Sequence, residues 1–268
     1  MKILTHNING IRAILKKDFI INNKKNKNNT YLNYIKKENP DIICWNELKI
    51  SKDKYDNEFK NVLLTNYLYK CINLSCEKNG YAGVSIFSKI KPISSCINFE
   101  SSGRYIMMEF DKFILICIYV MNAGEKLKNL NYRTEWDKKF LSQIKKIQKQ
   151  YNKEIIIVGD MNVINRHIDS YNFKKHHNKL NGVTDIEMNG FKKLLQETKL
   201  VDAWLEKNNN KIQYSYYTYR YKAREHNHGL RIDFNLMSKN MLKYIKHIKI
   251  KNNIYGSDHL PIILELNL

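Results

Sequence analysis

The sequence predicts an α/β protein built in layers, and three observations carry that expectation. Apolar runs of roughly four to eight residues, rich in isoleucine and valine, recur along the chain as buried strands do. Stretches with helical periodicity lie between them, an alternation that argues for layered sheets and helices. The chain has 268 residues, 43% of them hydrophobic and 12% aromatic, with only three prolines, so it can bury a sizeable core. No internal repeat or linker interrupts it, so one domain is expected over residues 1–268.

Taken in order, the first strand centres on Ile3 and Leu4. "TYLNYIKKENP" (30–40) reads as a helix stopped by Pro40. Strands are expected over 41–45, 82–87, 106–110 and 113–120. A helix over 131–150 puts Trp136, Phe140, Ile144 and Ile147 on one stripe. A strand follows at 155–158. A third helix, Asp185–Thr198, turns Ile186, Phe191, Leu194 and Leu195 inward, with Asp185 as the candidate cap of its first turn. Strands over 231–237 and 260–266 complete the set. The Lys/Asn-rich stretches 22–29 and 207–211 read as surface loops.

Several classes are excluded. No apolar run approaches the roughly 18–20 residues of a membrane-spanning helix, and "MKILTHNING" turns polar too soon for a signal peptide. A soluble, intracellular protein is expected. The five cysteines are odd in number and hold no C-x-x-C pair. Cys44, Cys96 and Cys117 lie in or beside apolar runs and read as free buried thiols, which argues against a disulfide framework or zinc site. The net charge of +20 points to a polyanion partner, most simply nucleic acid. Only seven of the 46 basic residues are arginine, and a Lys/Asn/Ile excess also arises from AT-rich coding. The polar residues at strand ends must therefore decide.

Those residues form a pattern. The first strand runs into Asn7 and Asn9, and the second into Glu47. "ILICIYVMNAG" carries Tyr119 and Asn122, "IIIVGDMN" ends in Asp160 and Asn162, "LRIDFNLMS" holds Asp233, and "YGSDHLP" holds Asp258 and His259. Residues at i and i+2 of an extended segment point the same way, so Asp160 and Asn162 can reach one site, as can Asn7 and Asn9. A buried carboxylate costs several kcal/mol unless partnered. Any one of these residues alone reads as a helix cap, a turn residue or an Asx turn. Together they are most economically one cluster around a metal ion with a His–Asp pair, and oxygen ligands suit Mg²⁺ or Mn²⁺.

The motifs also resemble a known family, the exonuclease III-like AP endonucleases of the endonuclease/exonuclease/phosphatase superfamily. "NINGIRA", "DIICWNELK", "GYAGVSIFSK", "GRYIMMEF", "YVMNAG", "YRTEWDKKF", "GDMNV", "HIDSYN", "YSYYTYRYKAREHNHGLRIDF" and "GSDHLP" follow its order over nearly the whole chain. The resemblance implies a four-layered α/β sandwich, two packed mixed β-sheets flanked by helices. It implies a Mg²⁺- or Mn²⁺-dependent DNA-repair enzyme that cleaves 5′ to abasic sites, with 3′-phosphodiesterase and 3′→5′ exonuclease activity. The implied partner is duplex DNA with abasic sites or blocked 3′ ends, and the implied protein is a monomer of the nucleus or of a bacterial cytoplasm.

Carried over, the resemblance makes Tyr119, Asp160, Asn162, Asp233 and His259 catalytic. Asn7, Glu47, Asp160, Asn162, Asp258 and His259 form the metal region. Asn7, Asn9, Lys49, Asn122, Arg220, Tyr216, Tyr217, Arg224 and Leu230 contact DNA. The Tyr-rich run reads either as the wall of a pocket for a flipped-out sugar or as strand core, with Tyr217, Tyr219 and Tyr221 on one face and Tyr214 and Tyr216 on the other. Leu48, Met121, Asn165 and Leu230 depart from the family pattern, as do Tyr216 and Tyr217. These positions bear on the choice among abasic-site cleavage, 3′ trimming and exonuclease action. The competing expectations are a phosphatase of small phosphoesters and an inactive DNA-binding scaffold.

Overall fold

The computed structural model describes all residues except 17–19, 22–23, 26–30, 62, 98 and 210. Strands and helices are each numbered in chain order. One six-stranded sheet has the order β13 (Ile245–Ile250), β14 (Ile262–Leu266), β1 (Lys2–Asn7), β4 (Ile42–Asn46), β6 (Val84–Ser88), β5 (Tyr69–Asn73). The second runs β11 (Leu200–Asp202), β12 (Asp233–Ser238), β10 (Glu154–Asp160), β9 (Phe113–Tyr119), β8 (Tyr105–Glu109), β7 (Ser94–Cys96). A short ladder pairs β2 (Ile20–Ile21) with β3 (Lys24–Lys25). Both large sheets are mixed: β1 is parallel to β4 and antiparallel to β14, and β10 is parallel to β9 and antiparallel to β12. The helices are α1 (Ile11–Lys16), α2 (Tyr31–Glu38), α3 (Lys52–Glu58), α4 (Leu130–Gln150), α5 (Phe173–His176), α6 (Asp185–Thr198) and α7 (Ala203–Asn208).

β10 explains the layering. Ile156 and Val158 point between the sheets, where they meet Ile3, Cys44, Leu115 and Leu264. Ile155 and Ile157 point the other way, into a layer with Trp136, Phe140 and Ile144 of α4 and Phe191 of α6. A matching outer layer on the first sheet joins Trp45 and Phe87 to Tyr31 and Ile35 of α2. Each β-branched residue of β10 is thus buried on its own face, at about 1.5–3 kcal/mol per side chain, and a four-layered sandwich results. No helix of the described residues is long and apolar enough to cross a membrane.

Every strand expected from an apolar run is present, within a few residues of its expected bounds. The α4 stripe of Trp136, Phe140, Ile144 and Ile147 is buried, and α6 has the expected bounds. Several details differ. Thr184, not Asp185, caps α6, accepting from the Glu187 amide at 3.2 Å, while Asp185 bonds His177 and Asn178 outside the helix. Ile186 is 52% exposed, because the inward stripe is Glu187, Met188, Phe191, Leu194 and Thr198. Lys207 and Asn208 end α7 instead of lying in a loop, and Asn210 is outside the described residues. Within 22–29, Lys24 and Lys25 form β3, and the rest lies outside the described residues. All five cysteines are free; Cys44 and Cys117 are buried and Cys96 half-buried.

Candidate active site

Register places the site. Asp160, last in β10, lies opposite Tyr119 of β9 on one side and Asp233 of β12 on the other. In the facing sheet Asn7 and Asn46 are paired across β1 and β4. The two rows meet at one edge: the Asn7 amide donates to Asp160 Oδ2 at 3.0 Å, and the Asp160 N–H donates to Asn46 Oδ1 at 3.2 Å. Gly159 makes this approach possible, since a Cβ there would lie 1.9 Å from the Ile118 carbonyl and 3.0 Å from Asn46 Oδ1.

Turns, not strand alternation, bring the paired residues together, which corrects the i/i+2 expectation. After Asp160 the chain turns left-handed at Asn162 (φ 48°), and the Asn162 N–H donates to Asp160 Oδ1 at 2.8 Å. Asn9 (φ 47°) repeats this with Asn7 Oδ1 at 3.1 Å. Asn tolerates that backbone region, but Glu47 (φ 55°) and Lys49 (φ 48°) adopt it at a cost. Backbone bonds on both sides hold them there, from Gly10 N–H to the Glu47 carbonyl and from Lys49 N–H to the Ala82 carbonyl.

A cavity of about 210 Å³ opens at this edge. Asn9, Glu47, Lys49, Tyr119, Asn122, Asp160, Asn162, Tyr216, Leu230, Asp258 and His259 line it. His259 Nδ1 lies 2.8 Å from Asp233 Oδ2, which also accepts from Ser215 Oγ at 2.7 Å. His259 Nε2 faces Asp160 Oδ2 at 3.8 Å. Burial alone would lower the His259 pKa, but the carboxylates of Asp233 and Asp160 outweigh it and raise it to about 10. Burial, then the charge of Asp233, pushes Asp160 up to about 7. The Tyr119 hydroxyl contacts Glu47 Oε1, and burial beside that carboxylate raises its pKa well above the ordinary range. The Asn122 amide donates to Asn162 Oδ1 at 3.0 Å, and the Asn162 amide to the Val120 carbonyl at 2.8 Å.

Among the described residues, two places at this edge could receive a cation. Asp160, Asp233 and His259 bring ligand-type atoms within 4.8 Å of one another, though the two carboxylates raise the His259 pKa and so favour a proton there. At the other, Lys49 Nζ sits 2.8 Å from Glu47 Oε2 and 2.6 Å from Asn9 Oδ1, and the Asn9 amide donates to Asp258 Oδ1 at 2.8 Å. An ammonium among these oxygens marks a place suited to a hard cation.

Other expected residues sit elsewhere. Asn7 is fully buried behind Asp160, and Asp233 stands behind His259. Tyr217 is buried, with its hydroxyl on Asn227 Oδ1 at 2.8 Å. Tyr216 reaches the cavity, its ring 4.8 Å from that of His259. The two-faced strand expected for the tyrosines does not form. Tyr214 and Tyr217 share the core while Tyr219 and Tyr221 are 61% and 87% exposed, because a 3₁₀ turn with Tyr221 at φ 58° bends the segment. Arg220 is exposed on that turn. Arg224 instead ties two loops together, donating to the Ile254 carbonyl at 2.7 Å and stacking 3.6 Å over Tyr255. The sequence reading missed Leu180, Asn181 and Gly182, which line the cavity. The Asn-Gly pair was the available signal: Gly182 (φ 78°) lets its loop close on the Asn162 carbonyl, which a Cβ would approach to 2.9 Å.

Fold and site together define a class: a two-sheet α/β sandwich with carboxylate, amide and imidazole groups gathered at one edge. Residues 4–259 match the endonuclease/exonuclease/phosphatase family, and the chain belongs to that family. It is 31% identical to an exodeoxyribonuclease of Bacillus subtilis (strain 168), covering 100% of both chains. It is 32% identical to the DNA repair nuclease APEX1 of Danio rerio, covering 99% of this chain and 82% of that relative. The crystal structure of AP endonuclease LMAP from Leishmania major shares the fold, with a TM-score of 0.86 at 23% identity, covering 99% of this chain and 87% of that one.

Proposed function

We propose that this chain is a single-domain, monomeric, intracellular DNA-repair phosphodiesterase that cleaves duplex DNA 5′ to abasic sites and trims blocked 3′ ends. One observation carries the reading: the Asp233-held imidazole of His259, the Asp160 carboxylate and the amides of Asn162 and Asn122 share one small cavity. This set meets the needs of phosphodiester hydrolysis. Asp160, pushed up to about 7, accepts the proton of the attacking water. His259 donates from Nε2 to a phosphate oxygen, and Asp233 holds its ring. Asn162 and Asn122 orient the phosphate. The Tyr119 hydroxyl keeps its proton and donates beside the leaving oxygen. Mg²⁺, or Mn²⁺ in its place, would be held by Glu47 with Asn9 and Asp258 nearby. It would supply Lewis-acid charge to the phosphate.

Relatives named as an exodeoxyribonuclease and a DNA repair nuclease support DNA as the substrate. So does the net charge of +20, which favours phosphate backbones. Lys49 and Arg220 are the proposed backbone contacts, and Tyr216 and Leu230 the walls for an extruded sugar. The test is turnover of a duplex bearing one abasic analogue, of the undamaged duplex and of p-nitrophenyl phosphate. Incision on the 5′ side of the lesion supports the reading. Preference for the small ester would move the chain to the phosphatase branch, and tight DNA binding without turnover would make it a scaffold.

A further inference from the structure

We infer that Arg133, on the inward face of α4, is a positioning residue that sets the geometry of Asn122 and Asn162 from behind the cavity. Its neighbours on that face, Trp136, Phe140, Ile144 and Ile147, are apolar, yet the Arg133 side chain is only 2% exposed. Its guanidinium is spread over the loops that bear the site. Nη1 donates to the Met121 carbonyl at 2.7 Å and to that of Asn162 at 3.2 Å, and Nη2 to that of Met161 at 3.0 Å. Nε is held 2.9 Å from both carboxylate oxygens of Asp137. One rigid plane therefore joins the segments that follow β9 and β10, where the Asn122–Asn162 amide bond must form.

The same group reaches the third loop of the cavity. Glu187 Oε1, fully buried and without a hydrogen-bond donor, lies 3.7 Å from Arg133 Nη1. Glu187 Oε2 accepts from the Gly182 N–H and the Thr184 hydroxyl, each at 2.7 Å. Arg133 and Glu187 thus link residues 121, 161–162 and 182, with Asp137 and Thr184, inside a layer built mostly of apolar side chains. The arrangement needs a planar fork of donors, and a lysine, with one ammonium point, keeps the charge but cannot span three carbonyls.

The inference deepens the phosphodiesterase reading and rests on it for its kinetic arm. The experiment compares wild type, Arg133→Lys and Phe140→Leu, the last loosening the same helix and its packing against Val120 and Met161 without removing a donor to the loop carbonyls. Steady-state cleavage of the abasic duplex, Tm and amide hydrogen exchange of the free protein are measured. Arg133→Lys should lower kcat about 10- to 100-fold with KM within about threefold, the scale of a misplaced catalytic geometry. Exchange should rise at 120–124, 161–164 and 180–184 but not in β10. Phe140→Leu should lower Tm comparably and keep kcat within about threefold. An unchanged exchange pattern at those loops, or a kcat loss no greater than that of Phe140→Leu, would overturn the inference. Were the wild type inactive on every duplex, the functional reading would fail, and the exchange data would still decide whether Arg133 sets the loops.

Discussion

Asp233→Asn removes the charge that keeps His259 protonated, and the size of the effect follows from distances. At 2.8 Å and an effective dielectric of about 20, the Asp233 carboxylate stabilises the imidazolium by about 6 kcal/mol. Asp160, at 3.8 Å, adds about 4 kcal/mol. The rise of His259 from 6.5 to about 10 corresponds to a net of about 5 kcal/mol. Burial must therefore oppose it by about 5 kcal/mol, in line with the desolvation of one buried ion. Without Asp233, burial and Asp160 nearly cancel, and the ring should titrate at or below the ordinary histidine range. The assay is an NMR titration of ¹³C-labelled histidine in the metal-free protein, followed by the pH profile of cleavage. Wild-type His259 should hold its proton until pH rises to about 10. In Asp233→Asn it should lose the proton below neutrality, and activity should fall with it as pH rises. An identical titration of His259 in both proteins would refute the reasoning.

Three further outcomes follow from buried groups. His6, held between the Tyr31 hydroxyl and the His259 carbonyl, has its pKa lowered by burial to about 3. Below about 6.5 the unfolded chain takes up a proton at His6 that the folded one refuses, so as pH falls His6 alone should subtract about 1.4 kcal/mol of stability per pH unit down to pH 3, against an opposing contribution from Asp160, whose pKa is raised to about 7. In urea unfolding followed against pH, the stability of His6→Gln should gain on that of wild type as pH falls below about 6.5, and parallel pH dependences would contradict the assignment. Gly159→Ala should cost more than about 3 kcal/mol or abolish folding, because its Cβ would meet the Ile118 carbonyl; a Tm within a few degrees of wild type would show that β9 and β10 can yield. Arg231 pairs with Asp169 and Asp202, both at 2.8 Å, and none of the three side chains is more than 2% exposed. Arg231→Met should cost about 3–5 kcal/mol by calorimetry, since it leaves buried Asp202 without its cation and Asp169 with Arg166 alone, and a loss under about 1 kcal/mol would mean that Asp202 neutralises at no cost.

What could be read from sequence tracks how each residue signals its environment. β9 and β10 are buried on both faces, so their apolar runs are continuous and unmistakable. β13, "IKHIKI", is an edge strand that interleaves lysine and histidine, and β7, "SSC", has no apolar signal and exists through its ladder with β8. The expected α6 stripe differs at Ile186 because the inward position is taken by Glu187, a charge held by the Gly182 N–H and the Thr184 hydroxyl and faced by Arg133 at 3.7 Å. The site's chemistry was legible because carboxylates beside core strands demand partners. Its geometry was not, because register sets Asp160 beside Tyr119 and Asp233, and left-handed turns aim Asn9 and Asn162. Asn7 looked like a contact residue and is a buried support for Asp160, and Arg224 looked like a phosphate ligand and braces two loops. Both outcomes depend on long-range packing that no local pattern encodes.

The most direct measurement is incision of a short duplex carrying one abasic analogue, in Mg²⁺ and in EDTA, by wild type, Asp160→Asn and Glu47→Gln. A single cut 5′ to the lesion is expected from wild type in Mg²⁺ and none in EDTA. Both variants should bind the duplex yet cleave at least about 100-fold more slowly. Cleavage that persists in EDTA, or that survives Asp160→Asn unchanged, would contradict the account.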